Sequence, residues 1–440
     1  MSDPKTVIYA RTLSRMIRME TVSSEHQKDK SKFYRFRELL RELFPHIFSV
    51  CEIEDFEGSF LLRWKGKGKG EPILLMNHHD VVEASGKWRY APFSGTVAQG
   101  KVWGRGALDT KGGLCAMLQA ADELAQEGFL PERDVYFMST CNEECEGTGA
   151  DTISRALRSR GIRFHLVLDE GGMILEEPID GAKGTFAIVG IGEKGCADLK
   201  FIARSSGGHA SMPGKNTPLV RLGKFMSAAE KEHLFKAEIS PAVAATFGRL
   251  SASMSGPMKF VLGHSRLFAP ILKKVIPHVS NTAGAMLKTT LAFTMAGGSE
   301  GMNVLPSEAW VIGNMRYSHH EGRERSLRKI IRLAKKFDIE TVILNPSFDS
   351  VLSDHRSEAF RSIEKAVDTV FGETVRTVPY VMTAASDSRY LSRVSSNCFR
   401  FTPFRISQAQ LESIHGIDEN VDIASLAPAV RFYRYIITQV

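Results

Sequence analysis

Apolar runs that each lead into a cluster of acidic, amide or histidine side chains constrain this chain more than any other feature. Ile73-Leu74-Leu75-Met76 leads into Asn77-His78-His79-Asp80. Val135-Tyr136-Phe137-Met138 is followed by Cys141-Asn142-Glu143-Glu144, and Leu166-Val167-Leu168 by Asp169-Glu170. Short apolar runs of this kind read as buried strands. In an open parallel sheet, ligands bind beyond the carboxyl ends of the strands, so three distant segments would deliver His, Asp and Glu to one rim. Imidazole and several carboxylates converging on one place make a divalent-metal site. Such a site can generate hydroxide at neutral pH.

The chain has 440 residues, more than one core usually supports, so two domains are expected. Up to about residue 190, strand-like runs alternate with helical patterns, which points to βαβ units. Leu114, Met117, Leu118, Ala121, Leu124 and Ala125 form one helical face, with Gly128 as its stop. A second helix over 151–160 ends at Gly161. After Gly195 the texture changes: a strand at 199–203, the loop Gly207-Gly208-His209-Ala210-Ser211, a helix over 219–231, then mixed pattern to 288. Strand-like runs at 289–295, 309–315 and 340–344 enclose an amphipathic helix carrying Leu327, Ile330, Ile331 and Ala334. Asn345-Pro346 reads as a boundary. The last hundred residues resume helix and strand and close on a helix over 424–437. The pattern predicts a discontinuous main domain interrupted by a smaller one.

A net charge of +7 is spread widely, with local runs at Lys65, Lys67, Lys69 and along 323–336. These read most simply as a solvated loop and a solvated helix face, with some help in attracting anionic substrates. No nucleic-acid-binding motif accompanies them, so no nucleic-acid partner is expected. No apolar stretch nears the roughly 18 residues of a membrane span, and no signal peptide is evident. Neither a membrane partner nor secretion is therefore expected. Six cysteines without a CxxC pair read as reduced thiols, consistent with a cytoplasmic protein.

His78 and Asp80 stand two apart, on one side of an extended segment. That suits His78 as a metal ligand whose free ring nitrogen bonds to Asp80; the plainer alternative is a polar strand end. In Trp103-Gly104-Arg105-Gly106-Ala107-Leu108-Asp109-Thr110-Lys111, glycines let the backbone come close, and the Asp109 carboxylate can bridge two cations. The alternatives are a turn opening the next helix or a phosphate loop, though the GxGxxG and GxxxxGK spacings are absent. Side chains of the adjacent Glu143 and Glu144 diverge in extended backbone. One would bind metal while the other takes a proton from water, and a pair of cations would relieve their repulsion. His415, in Ile414-His415-Gly416-Ile417-Asp418-Glu419-Asn420, reads by itself as a surface histidine.

Taken together, these motifs resemble the co-catalytic dizinc amidohydrolases and exopeptidases, which include aminoacylase, acetylornithine deacetylase, succinyl-diaminopimelate desuccinylase and carboxypeptidase S. The likeness runs from His78 to Asn420, with the motifs in the family's order. It implies His78, Asp109, Glu144 and His415 as metal ligands, Asp109 bridging, Glu143 as general base and Asp80 behind His78. A fifth ligand falls on Asp169 or Glu170; a regular strand would present only one of them, and the aminoacylase-like spelling leans to Glu170. By the same resemblance, the lid residue His209 contacts the oxyanion, in cis or from a partner subunit. Asn303, Arg316 and Arg389 hold the substrate carboxylate, and a cis peptide joins Asp109 to Thr110.

The fold so implied is α/β: a mixed, largely parallel sheet with helices on both faces, from residues 1–193 and 345–440. A smaller α+β lid or dimerisation domain at 194–344 interrupts it, with an extended segment at about 233–288. That extension resembles the carboxypeptidase S branch, which also holds enzymes acting on N-acyl amino acids, and it makes the usual homodimer an open question. Met382-Thr383-Ala384-Ala385 stands where relatives are glycine-rich, so the pocket wall differs. The expected activity is hydrolysis of N-acyl amino acids, or of short peptides with a free carboxylate. A metal-bridging water would attack, with two divalent ions present, zinc first and cobalt or manganese as alternatives. The rival is a metal-dependent binding or regulatory protein without turnover, which would have no need of Glu143.

Overall fold

A mixed eight-stranded sheet carries the larger part of the chain. The computed structural model describes residues 5–145, 147–231, 234–345 and 351–440, so Pro346 and His233, at two of the expected boundaries, lie outside the described residues. Across the sheet the strands run Cys51–Phe56, Ser59–Trp64, Val135–Thr140, Ile73–His78, Leu166–Glu176, Cys398–Arg405, Thr185–Glu193 and Val375–Met382. Ile73–His78 lies at the centre and pairs in parallel with both neighbours.

Strand periodicity explains why these runs are apolar throughout. Ile73, Leu75, Val135, Phe137, Leu166 and Leu168 meet one helical layer, which includes Leu114, Leu118, Leu426 and Val430. Leu74, Met76, Tyr136, Met138 and Val167 meet Ala150, Ile153 and Leu157 on the opposite face. A sheet covered on both faces has no polar alternation to show. Burying each large side chain contributes about 1.5–3 kcal/mol. The first layer is formed by the helices Lys111–Gln126 and Ile423–Gln439, the second by Thr148–Ser159. Helices therefore stand on both faces.

The smaller unit is a separate antiparallel sheet ordered Thr290–Gly297, Glu308–Tyr317, Gly195–Arg204, Glu340–Ile343. Leu199, Phe201, Val311 and Met315 pack with Leu222 and Phe225 of helix Pro218–Lys231 and with Leu327 and Ile330 of helix Gly322–Lys336. On the latter, Arg325, Arg328, Arg332, Lys335 and Lys336 are exposed, a solvated cationic face.

The mixed stretch before residue 288 folds as four helices, Pro241–Ser251, Gly256–Gly263, Ala269–Val279 and Asn281–Leu287. The sequence pattern assigns this extension, at about 233–288, to the lid. Its helices instead cover the far edge of the main sheet: Val243, Phe247 and Leu250 pack with Phe186, Ile188 and Val378. The Thr246 hydroxyl donates to the Pro379 carbonyl at 2.7 Å. The reason is burial: Val375–Met382 ends the sheet, and its apolar face needs a cover.

Candidate metal centre

The Ile73–His78 strand delivers two histidines to opposite fates. His79 stacks on Phe36 and Phe60 and meets Phe33 edge-on, and its Nδ1 lies 2.8 Å from Ser139 Oγ. Burial pushes its pKa down to about 3, so it is a neutral core side chain. His78 faces the cleft with Nε2 3.1 Å from Asp109 Oδ1. Its Nδ1 bonds to the Asp80 backbone carbonyl at 2.9 Å, with the Asp80 carboxylate at 3.4 Å. The Asp80 carboxylate spends its oxygens elsewhere: it accepts from Ser23 Oγ at 2.7 Å and from the backbone N–H groups of Glu143 and Glu144 at 3.2 and 3.1 Å. One buried carboxylate thus fixes the His78 end of one strand and the Glu143–Glu144 end of its neighbour.

The loop bearing Asp109 is held from within. Glu419, fully buried, accepts from Arg105 Nη1 at 2.8 Å and from the N–H groups of Gly106, Leu108 and Asp109 at 3.0, 2.8 and 3.1 Å. The Asp109–Thr110 peptide is cis, as the resemblance implied, and the Thr110 hydroxyl donates to the His78 carbonyl at 3.0 Å. Gly112 and Gly113 start the next helix where a Cβ would meet the Ala107 carbonyl at 2.2 Å or Asn77 Oδ1 at 2.5 Å. Those glycines allow the helix start to press against the strand end. Asp109 thus lies one residue before Thr110, the N-cap of that helix.

His415, alone in its loop, reaches the same carboxylate. Its Nε2 lies 3.0 Å from Asp109 Oδ2 and 3.1 Å from Glu144 Oε2. Asp109 thus presents one oxygen to His78 and the other to His415. Ligand atoms of His78, Asp109 and Glu144 all lie within 4.8 Å of one another. Glu143 is beside them, and burial, with Asp387 and Glu144 nearby, raises its carboxyl well above the usual range.

Asp169 and Glu170 divide differently from the simple alternation. Pairing with Cys398–Arg405 slips after Arg400, which sits opposite Asp169, so the strand does not stay regular. The Asp169 carboxylate accepts from the backbone N–H groups of Ser388 at 2.8 Å and Glu170 at 2.9 Å. Glu170 is buried with Oε2 left without a partner. Glu419, Ser23 and Asp387 also serve the site, with no role for them predicted from the sequence. Asp387, pushed up to about 7 by burial, accepts from Thr140 Oγ1 at 2.6 Å and stands among the charges that raise Arg389. Glu419 lay inside the quoted His415 loop, and a second carboxylate there was the one available signal.

The lid residues are less gathered. His209 is exposed, with its Nδ1 2.6 Å from Ser211 Oγ in its own loop. Asn303 is also exposed, and its carbonyl accepts from Ala210 N–H at 2.9 Å. Arg316 extends from the lid sheet, with Nε donating to Asn314 Oδ1 at 3.0 Å. Arg389 comes from the main domain, yet both guanidiniums bear on the Cys196 thiol, pulling down a pKa that burial raises. Both arginines are thus close enough to Cys196 to act on its thiol.

The donor set suits cations. Burial disfavours a charged His78, but Asp109 and Asp80 outweigh it and raise its pKa. Bonds to Asp109 and Glu144 push His415 up to about 10. Excess carboxylate charge thus draws positive charge onto the histidines. Glu144 Oε1 and Glu170 Oε2 are buried without partners, at a cost of about 1–3 kcal/mol or more each unless something binds them. Tetrahedral zinc, with ligands at about 2.1 Å, sets donor atoms roughly 3.4 Å apart, close to the spacing found here.

A profile of Peptidase family M20/M25/M40 matches residues 74–439. Carboxypeptidase S-like 2 of Dictyostelium discoideum is 30% identical over 426 residues, covering 94% of this chain and 81% of that protein. The human N-fatty-acyl-amino acid synthase/hydrolase is 28% identical over 443 residues, covering 98% and 87%. Among solved structures, an M20 family metallo-carboxypeptidase from Sulfolobus solfataricus shares the fold with a TM-score of 0.73 at 16% identity, covering 98% of each chain.

Proposed function

Since the chain belongs to Peptidase family M20/M25/M40, we propose that it is a metal-dependent hydrolase of N-acyl amino acids, or of short peptides with a free C-terminal carboxylate. The observation that carries this reading is Asp109 placed between His78 and His415, one oxygen toward each. His78, Asp109 and Glu170 would hold one divalent ion, and Asp109, Glu144 and His415 the other, zinc first with cobalt or manganese as alternatives. Glu170 is preferred to Asp169 because its carboxylate keeps an uncommitted oxygen. Two cations in this place would polarise the amide carbonyl and lower the pKa of an attacking water toward about 7.

The chain's own residues do the rest. Glu143, its carboxyl raised by burial, takes the proton from water and gives it to the leaving amine. Asp80 positions His78 and both glutamates. His209 supplies the oxyanion contact on lid closure or from a partner subunit in a homodimer, since within its own loop it faces solvent. Asn303, Arg316 and Arg389 receive the carboxylate. Similarity to an N-fatty-acyl-amino acid synthase/hydrolase supports acyl amino acids, and similarity to a carboxypeptidase S-like protein supports peptides.

A panel of N-acyl amino acids and dipeptides, assayed with zinc, cobalt and manganese, tests the reading. Turnover is expected for substrates with a free carboxylate. Capping that carboxylate as an amide should lower kcat/KM by about 10–150-fold, the loss of a charged hydrogen bond worth roughly 1.5–3 kcal/mol. Metal binding without turnover of any member would favour a binding or regulatory protein.

A further inference from the structure

Residues 239–299 contain no aspartate or glutamate, yet they carry Arg249, Lys259, Arg266, Lys273, Lys274 and Lys288. Within this run, Leu267, Ile271, Val275 and Val279 recur every four residues, and the last three share one face of the Ala269–Val279 helix. That face points to solvent: Leu267 is 71%, Ile271 61% and Val279 80% exposed, while the core-facing Leu272 is 5%. Met258 and Phe260, on the preceding helix, are also more than half exposed. Lys259, Arg266, Lys273 and Lys274 are exposed in the same segment, Lys274 beside the stripe by its helical position, and no acidic partner pairs with any of the four among the described residues.

We propose that this face docks on an anionic phospholipid surface. Scattered exposed apolar residues need no explanation, but a stripe of them in a cationic segment that itself carries no acidic residue does. Apolar side chains at this spacing can sink into the headgroup region while the lysines and the arginine meet lipid phosphates and carboxylates. Lysine stems cover the apolar boundary and keep their charges at the headgroups. A second copy of the chain fits the face poorly, because a two-fold contact would set these cations against their own copies. The main sheet lies behind the helices, so docking leaves the fold intact. Spanning is not involved: no helix among the described residues is long and apolar enough to cross a membrane. Peripheral attachment of this kind, where no membrane partner is expected from the sequence, is independent of the proposed chemistry.

Co-sedimentation of the full chain with vesicles tests it. Partition into mixed phosphatidylcholine–phosphatidylserine vesicles should exceed that into phosphatidylcholine alone by about tenfold or more, and fall as salt screens the charges. K273E/K274E should abolish the preference for anionic lipid. Ile271→Ala with Val275→Ala should weaken binding several-fold while the salt dependence persists. Both variants should hydrolyse a soluble substrate at the parent rate, which reports intact folding. The proposal is overturned if the parent chain does not bind anionic vesicles, or if binding survives both variants unchanged. It is equally overturned if the substitutions only dissociate a dimer in sedimentation velocity.

Discussion

Glu143→Ala should keep its bound metal and lose about 10²–10⁴-fold in kcat, the range that a positioned general base supplies. The separation of effects follows from geometry. Glu143 stands beside the His78, Asp109, Glu144 and His415 cluster, and its contact with Asp80 is made through its backbone N–H, which alanine retains. Truncation thus removes the proposed proton acceptor without disturbing the hydrogen bond that orients the segment. Burial, Asp387 and Glu144 hold this carboxyl well above its usual range, as a group that must bind a proton in mid-reaction requires. Metal content by mass spectrometry and kcat on one N-acyl amino acid read the two effects separately. Near-parent turnover would remove Glu143 from the role of base.

Asp109→Ala should be the more damaging change, because it withdraws a donor from both proposed ions at once. His78 and His415 each approach a different Asp109 oxygen, at 3.1 and 3.0 Å. Without that carboxylate, the remaining donors have no shared anchor. Metal content is expected to fall below one ion per chain and hydrolysis to reach background. Glu170→Ala, by contrast, should cost no more than one ion. Retention of the full metal complement by Asp109→Ala would show that Asp109 does not bridge.

The uninterrupted apolar runs at 73–76, 135–138 and 166–168 already specified strands buried on both faces, because nothing polar alternates within them. The polar residues at their ends supply most of the candidate metal centre. Three features were not legible, each for a physical reason. The choice between Asp169 and Glu170 turns on a register slip against Cys398–Arg405, a property of the pairing and not of either strand. Glu419 anchors the Asp109 loop from more than 300 positions away. No local pattern reports such a contact. The helices of 241–287 carry apolar residues that suit either domain, and only the exposed edge strand Val375–Met382 explains where they settled. His79 makes the same point from the other side. Its neutral, core position depends on Phe33 and Phe36 from a separate helix, a contact that no local pattern reports.

In the proposed reaction, His78, Asp109, Glu144 and His415, with Glu170, form one two-cation hydrolytic site. Stripping the purified chain with a chelator and titrating zinc back, while following hydrolysis and thermal stability together, tests it most directly. Hydrolysis should vanish on stripping and return in full at about two ions per chain. Unfolding should shift upward as the ions bind, by about 2.7 kcal/mol at a hundredfold excess over the dissociation constant. A stripped chain that hydrolyses its substrate at the parent rate would contradict the claim.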